Sequence, residues 1–77
     1  MKKTAFILIE IAVGKTEEVV SAMKQLQGVK SVDIVSGPYD AIAVFEGKDL
    51  TAIGNMVTRQ IHPIAGIHRL VVCLTQN

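Results

Sequence analysis

Ser36-Gly37-Pro38-Tyr39-Asp40 is the stretch of this chain best equipped for chemistry. Gly37 admits backbone angles closed to other residues, Pro38 fixes its own, and Tyr39 and Asp40 set a phenol and a carboxylate side by side. The exposed N–H groups of such a turn can hold a carboxylate, and Asp40 can attract an ammonium, so the pattern suits a small-molecule site. The same composition also makes an ordinary hairpin turn. Local chemistry leaves both readings open.

The other polar candidates are weaker. His62 precedes a proline, His68 follows later, and Cys73 stands five residues beyond it, a set without the close ligand pairs of a zinc site, so no metal or cofactor is expected. Cys73 lies in Val71-Val72-Cys73-Leu74 and is expected to be buried as a small apolar residue rather than to act as a nucleophile. Glu17 and Glu18 can be read as an acid–base pair, but a place at a helix start explains them through the helix dipole. Met23 and Met56 read as filler of a core or interface. Gly54, inside a helix, costs about 1 kcal/mol relative to alanine, which suggests a close approach by another backbone.

The elements that must position these residues follow from periodicity. Thr4 to Val13, rich in Ile and cut off by Gly14-Lys15, predicts a first strand. Thr16 is the expected N-cap of a helix of about three turns whose stripe is Val19, Ala22, Met23 and Leu26, with Gly28 placed to stop it. Val29 to Ser36 predicts a second strand and Ala41 to Glu46 a third. Asp49 caps a second helix with the stripe Leu50, Ile53, Val57 and Ile61, ended by His62-Pro63. After Gly66, Ile67 to Thr75 predicts the fourth strand. The halves echo each other, and Gly28-Val29-Lys30-Ser31-Val32 stands beside Gly66-Ile67-His68-Arg69-Leu70. The order βαββαβ with right-handed crossovers gives an α+β, ferredoxin-like domain: a four-stranded antiparallel sheet with both helices on one face, over residues 1–77.

That architecture leaves one sheet face without an internal cover. In the first strand, Ala5, Ile7, Ile9, Ile11 and Val13 form one set, and Phe6, Leu8 and Ala12 accompany Glu10 in the other. In the fourth, Ile67, Val71 and Cys73 oppose Leu70, Val72 and Leu74. Both faces are apolar, whereas a solvated face alternates to polar residues. Each Leu or Val left in water forgoes about 1.5–3 kcal/mol. A homodimer packed sheet to sheet resolves this, since a two-fold contact lets one patch serve both copies. A chain this short also hides only about 60% of its unfolded surface, which favours oligomers.

Composition narrows the function classes. The hydrophobic fraction is 49%, charged residues make up 19%, and the formal net charge is +1. The cations Lys15, Lys24, Lys30, Lys48, Arg59 and Arg69 are scattered singly among acids, which argues against direct nucleic-acid binding. Lys2 and Lys3 before Ala5 to Ile9 imitate a secretory signal, but Glu10 interrupts the run and no clear cleavage site follows. No run reaches the roughly 20 apolar residues of a membrane span. A lone cysteine fits a reducing compartment, and a cytoplasmic location is expected.

Gly37-Pro38-Tyr39-Asp40 after the second strand, the apolar third strand Ala41 to Phe45, Pro63-Ile64-Ala65-Gly66-Ile67 leading into the last strand, and Arg69 together resemble the effector-binding (RAM) module of the Lrp/AsnC family. The resemblance covers essentially the whole chain. It implies a dimeric α/β sandwich, of the dimeric α+β barrel type, that assembles into larger rings and binds amino acids at contacts between dimers. The ligand-binding residues it implies here are Gly37, Pro38, Tyr39, Asp40 and Ala41. Relatives commonly carry two threonines in the last strand where this chain has Leu70 and Val72, so nothing is carried over from that strand and an apolar ligand side chain is implied. The family's full-length regulators have an N-terminal helix-turn-helix domain, for which this chain has no room before its first strand. The reading is therefore an amino-acid-binding module in regulation of amino-acid metabolism that does not bind DNA itself, with copies of itself and full-length relatives as partners. Two alternatives share the architecture: a small monooxygenase- or isomerase-like enzyme using His68, and a structural assembly module for a full-length regulator.

Overall fold

A computed structural model describes residues 2–75; Met1, Gln76 and Asn77, which belong to the expected domain 1–77, lie outside the described residues. The chain runs β1 (Lys3–Ile11), α1 (Thr16–Lys24), β2 (Val29–Ile34), β3 (Ala41–Gly47), α2 (Leu50–Met56) continued by a π-helical turn (Val57–Ile61), and β4 (Ile67–Leu74). The strands form one antiparallel sheet in the order β2-β3-β1-β4. This is the expected βαββαβ, ferredoxin-like arrangement: each half sends its strand over a helix and back, leaving a place that the other half fills.

Register sorts the side chains, because residues paired across strands share a face. Ala5, Ile7 and Ile9 pair with Phe45, Ala43 and Ala41, and Ile7 and Ile9 pair with Val72 and Leu70. This set meets Val19, Val20 and Met23 of α1 and Ile53, Met56, Val57 and Ile61 of the second helical segment in one core. The other face carries Phe6, Leu8, Ile42, Val44, Val71 and Cys73, since Phe6 pairs with Val44 and Cys73, and Leu8 with Ile42 and Val71. No element among the described residues covers it, and Phe6 is 41% exposed.

Several expectations need correction. Thr16 is the first helical residue and not the cap: Lys15 precedes it without a side-chain cap bond. A turn in which the Lys15 amide bonds the Ala12 carbonyl delivers the Lys15 carbonyl to the Val19 amide, so the main chain starts the helix. β1 ends at Ile11, which leaves Val13 fully exposed and outside the core set. β2 ends two residues before Ser36, and β4 stops at Leu74. Ile67 belongs to the helix side rather than with Val71 and Cys73, because a bulge sets Glu10 against Arg69 but Ile11 against Ile67, with His68 as the extra residue. Leu50 is 55% exposed at the mouth of α2, outside the stripe that buries Ile53, Val57 and Ile61. A Cβ built on Gly54 meets nothing within 4 Å, so no backbone among the described residues approaches it. Cys73 is exposed in the single chain because its strand position turns it to the open face.

Asp49 does cap α2, its Oδ1 accepting from the Ala52 amide at 2.8 Å. The chain leaves the second helix as expected at His62-Pro63, after a widened turn in which the His62 amide donates to the Val57 carbonyl five residues back at 2.9 Å. The internal echo is visible in hydrogen bonds. The Gly28 carbonyl accepts from Glu46 at the end of β3, as the Gly66 carbonyl accepts from Ala12 beyond β1.

Candidate functional site

The loop between β2 and β3 is fastened to the end of β1 by Asp40. Its amide donates to the Ile9 carbonyl at 2.8 Å, and its Oδ2 accepts from the Ile11 amide at 2.7 Å. One residue thus extends the β1–β3 ladder by a main-chain rung and a side-chain rung. Across the loop, the Val35 amide donates to the Asp40 carbonyl at 2.9 Å, leaving 36–39 as the projecting tip. Gly37 sits at φ 134°, a region open to glycine and strained for an L side chain, and Ser36, Gly37 and Pro38 are exposed. The Ser36, Gly37 and Tyr39 amides make no main-chain hydrogen bond among the described residues.

Tyr39 reaches sideways. Its hydroxyl accepts from the Arg69 guanidinium at 2.9 Å, and that guanidinium carbon lies 5.6 Å from the ring centre. Asp40 lies beside Ile9 on one flank of β1, while Arg69 pairs with Glu10 on the other flank. The Tyr39–Arg69 bond therefore spans β1 and ties the loop to β4. Glu10 and Arg69 form the polar rung that ends the apolar face on this side.

Of the residues singled out by sequence, Gly37, Pro38, Tyr39 and Asp40 are grouped at this end of the sheet. Ala41 lies beneath them, fully buried on the helix side. Leu70 and Val72 also turn to the helices and pack against the core. Arg69 is the member of the cluster that the motif did not supply; its position opposite Glu10 emerges only from the β1–β4 register. His62 and His68 are exposed at the end of the π-helical turn and at the β4 bulge, respectively. Among the described residues no group of three or more His, Cys, Asp or Glu is placed to hold a metal, and no helix is long and apolar enough to cross a membrane. A cleft of about 470 Å³ opens at the opposite end of the sheet, floored by Phe45 and Met56 and edged by Lys2, Lys30 and Lys48.

Asp40→Ala should lower stability by about 2 kcal/mol, because it orphans a part-buried amide that now bonds a charged acceptor. Asp40→Asn keeps an acceptor and should recover most of that loss. Urea unfolding of the two variants measures the difference.

Comparison with known proteins agrees with the fold. The model of the Lrp/AsnC ligand binding domain matches residues 4–76. The crystal structure of TTHA0845 from Thermus thermophilus is 31% identical, with 97% of this chain and 94% of that chain covered and a TM-score of 0.93. FFRP-DM1 is 30% identical over 95% of this chain and 97% of that one, with a TM-score of 0.91. The transcriptional regulator NMB0573 of Neisseria meningitidis, solved as an L-Met complex, shares the fold at 18% identity and a TM-score of 0.89; 97% of this chain aligns to 50% of that one. A search of curated proteins gives no significant match. With a family match that runs from the start of β1 to beyond the end of β4, this chain belongs to the Lrp/AsnC ligand-binding domain family and is related to transcriptional regulators.

Proposed function

We propose that this domain binds a free amino acid with an apolar side chain at the 37–41 loop, and that it works as an oligomer whose subunits meet through the open sheet face. Gly37, Pro38, Tyr39 and Asp40 line the site, with Ala41 packed beneath as its floor. Ligand carboxylate and loop amides are suited to each other, and the second oxygen of Asp40 is the natural partner for an ammonium. The observation that carries this reading is the fastening of the loop by Asp40, which holds three amides without main-chain partners at a fixed place on the sheet. The L-Met complex of the Neisseria regulator supports the class of ligand. The placement of Leu70 and Val72 in the core supports a site made from the loop without the last strand's inward residues.

No DNA contact is assigned to this domain. A net charge of only +1 speaks for this reading, in which an influence on genes of amino-acid metabolism runs through ligand sensing and through co-assembly with full-length Lrp/AsnC regulators. It is assigned no enzymatic step and a cytoplasmic place of action.

Amide chemical shifts recorded while a mixture of Met, Leu, Ile, Val and Phe is added test the assignment. The expected result is saturable shifts at Ser36, Gly37, Tyr39 and Asp40. Shifts confined to the Lys30 and Lys48 cleft, or none anywhere, would remove the loop as the site.

A further inference from the structure

The cleft at the far end of the sheet from the loop gathers cations that are distant in the chain. Lys2 immediately precedes β1, Lys48 directly follows β3 and Lys30 lies in β2, so the three come from the neighbouring strands β2, β3 and β1. Register explains the place of Lys30. Val29 pairs with Phe45 and Ser31 with Val44, which makes Lys30 the extra residue of a bulge, a device that re-aims a side chain. Its ammonium lies 3.5 Å from the Glu46 carboxylate, whereas Lys2 and Lys48 have no ion pair among the described residues. Three lysines and one glutamate give the lining a charge of +2 against +1 for the whole chain, so the rest of the chain is net negative.

The floor beneath these cations is apolar, formed by Phe45, Ala52 and Met56, and Gln27 and Gln60 add neutral amides. At about 470 Å³ the cleft has the size of a small-molecule site. Phe45 and Met56 belong to the core on the helix side, so a second copy on the open sheet face leaves the cleft free. The fold alone does not create it. Gly66, the counterpart of Gly28 in the second half, has Lys15 and Val19 of α1 packed against it; the nearest neighbours of Gly28 are all atoms of Phe45, and the cleft opens beside them.

We propose that this cleft binds a small organic phosphate, a phosphate monoester that carries a compact apolar body. Lysines present separate point charges rather than the planar fork with which arginine grips two carboxylate oxygens. Three of them converging from three strands suit a compact dianion with three outer oxygens. The apolar floor receives the body that the phosphate carries. This site lies apart from the 37–41 loop and does not depend on ligand binding there.

Amide chemical shifts of the native protein, titrated separately with phenyl phosphate, inorganic phosphate and phenol, test this. Phenyl phosphate should give saturable shifts at Gly28, Lys30, Gly47 and Lys48, and phenol none at the same concentrations. Inorganic phosphate should bind at least about fivefold more weakly, because it lacks the apolar body. The double variant Lys2→Gln/Lys48→Gln should lose about tenfold or more in affinity for phenyl phosphate, since two charged donors are removed. Both lysines are exposed, so the fold is retained, and Lys15→Gln, outside the cleft, should leave the affinity unchanged. Phenyl phosphate that binds no more tightly than inorganic phosphate, or that the double variant binds as well as the native protein, is held as an adventitious ion only, and either result overturns the proposal. So does the absence of shifts at the cleft. A DNA duplex that shifts the same lysines where phenyl phosphate does not would make them contacts to a nucleic-acid backbone and overturn it as well.

Discussion

Leu8→Lys is expected to abolish the proposed sheet-to-sheet oligomer and leave single, folded chains. Leu8 sits at the centre of the open face, between Ile42 on β3 and Val71 on β4. Phe6, Val44 and Cys73 form the next rung. In a two-fold contact each substitution is made twice, and the two new ammonium groups are brought toward one another in a region emptied of water. Loss of the buried leucine contributes about 1.5–3 kcal/mol per copy, and charge burial adds to it. The dimer should weaken by at least about 1,000-fold, a factor of ten for each 1.4 kcal/mol. Sedimentation equilibrium reads the mass directly. The core lies on the other side of the sheet, so far-ultraviolet circular dichroism should stay native. Glu17→Lys, on the exposed flank of α1, is the control and should leave the mass unchanged. A Leu8→Lys protein that keeps the native mass would show that the copies meet elsewhere.

Gly28→Ala should be the most costly single methyl in the protein. Gly28 has φ 94°, and a Cβ built there would run into Cε1 of Phe45. The ring cannot simply turn away, because Phe45 is 5% exposed on the helix side of β3. The backbone cannot shift freely either, since the Gly28 carbonyl accepts from Glu46. A left-handed backbone angle costs a non-glycine residue about 1–3 kcal/mol, and overpacking costs a similar amount, so a loss of about 3 kcal/mol or more is expected in urea unfolding. For a domain of this size that is a large part of the total stability. A loss below about 1 kcal/mol would mean that Phe45 repacks far more easily than its burial implies.

Much of the fold was legible because its signals are local. Apolar runs cut by glycines placed all four strands, the stripe Leu50, Ile53, Val57 and Ile61 marked the second helix although Leu50 stays exposed, and Asp49 announced its cap. The open face was legible for the same reason: both alternating sets of β1 are apolar, and a sheet with helices on one side has one face too many. What escaped depends on pairing between distant segments. The bulge at His68 flips Ile67 to the helix side, and no feature within β4 reveals it. Thr16 carries the side chain of a cap, but the Ala12–Lys15 turn starts the helix one residue earlier. Cys73 reads as buried from its apolar neighbours, and only the β1–β4 register shows that it faces outward.

The candidate site divides in the same way. Gly37, Pro38, Tyr39 and Asp40 announce a loop with unusual geometry, and the loop is there. The use of Asp40 Oδ2 to hold the Ile11 amide, and the bond from Arg69 to Tyr39, join residues about thirty apart in the chain. Spacing alone gives no reason to connect them.

Isothermal titration of the native protein with each of the twenty amino acids in turn tests the proposed amino-acid sensing most directly. Saturable heat is expected with at least one apolar amino acid, and weaker or absent binding of the charged ones. No heat from any of the twenty, in a sample whose sedimentation mass shows the oligomer intact, would contradict it.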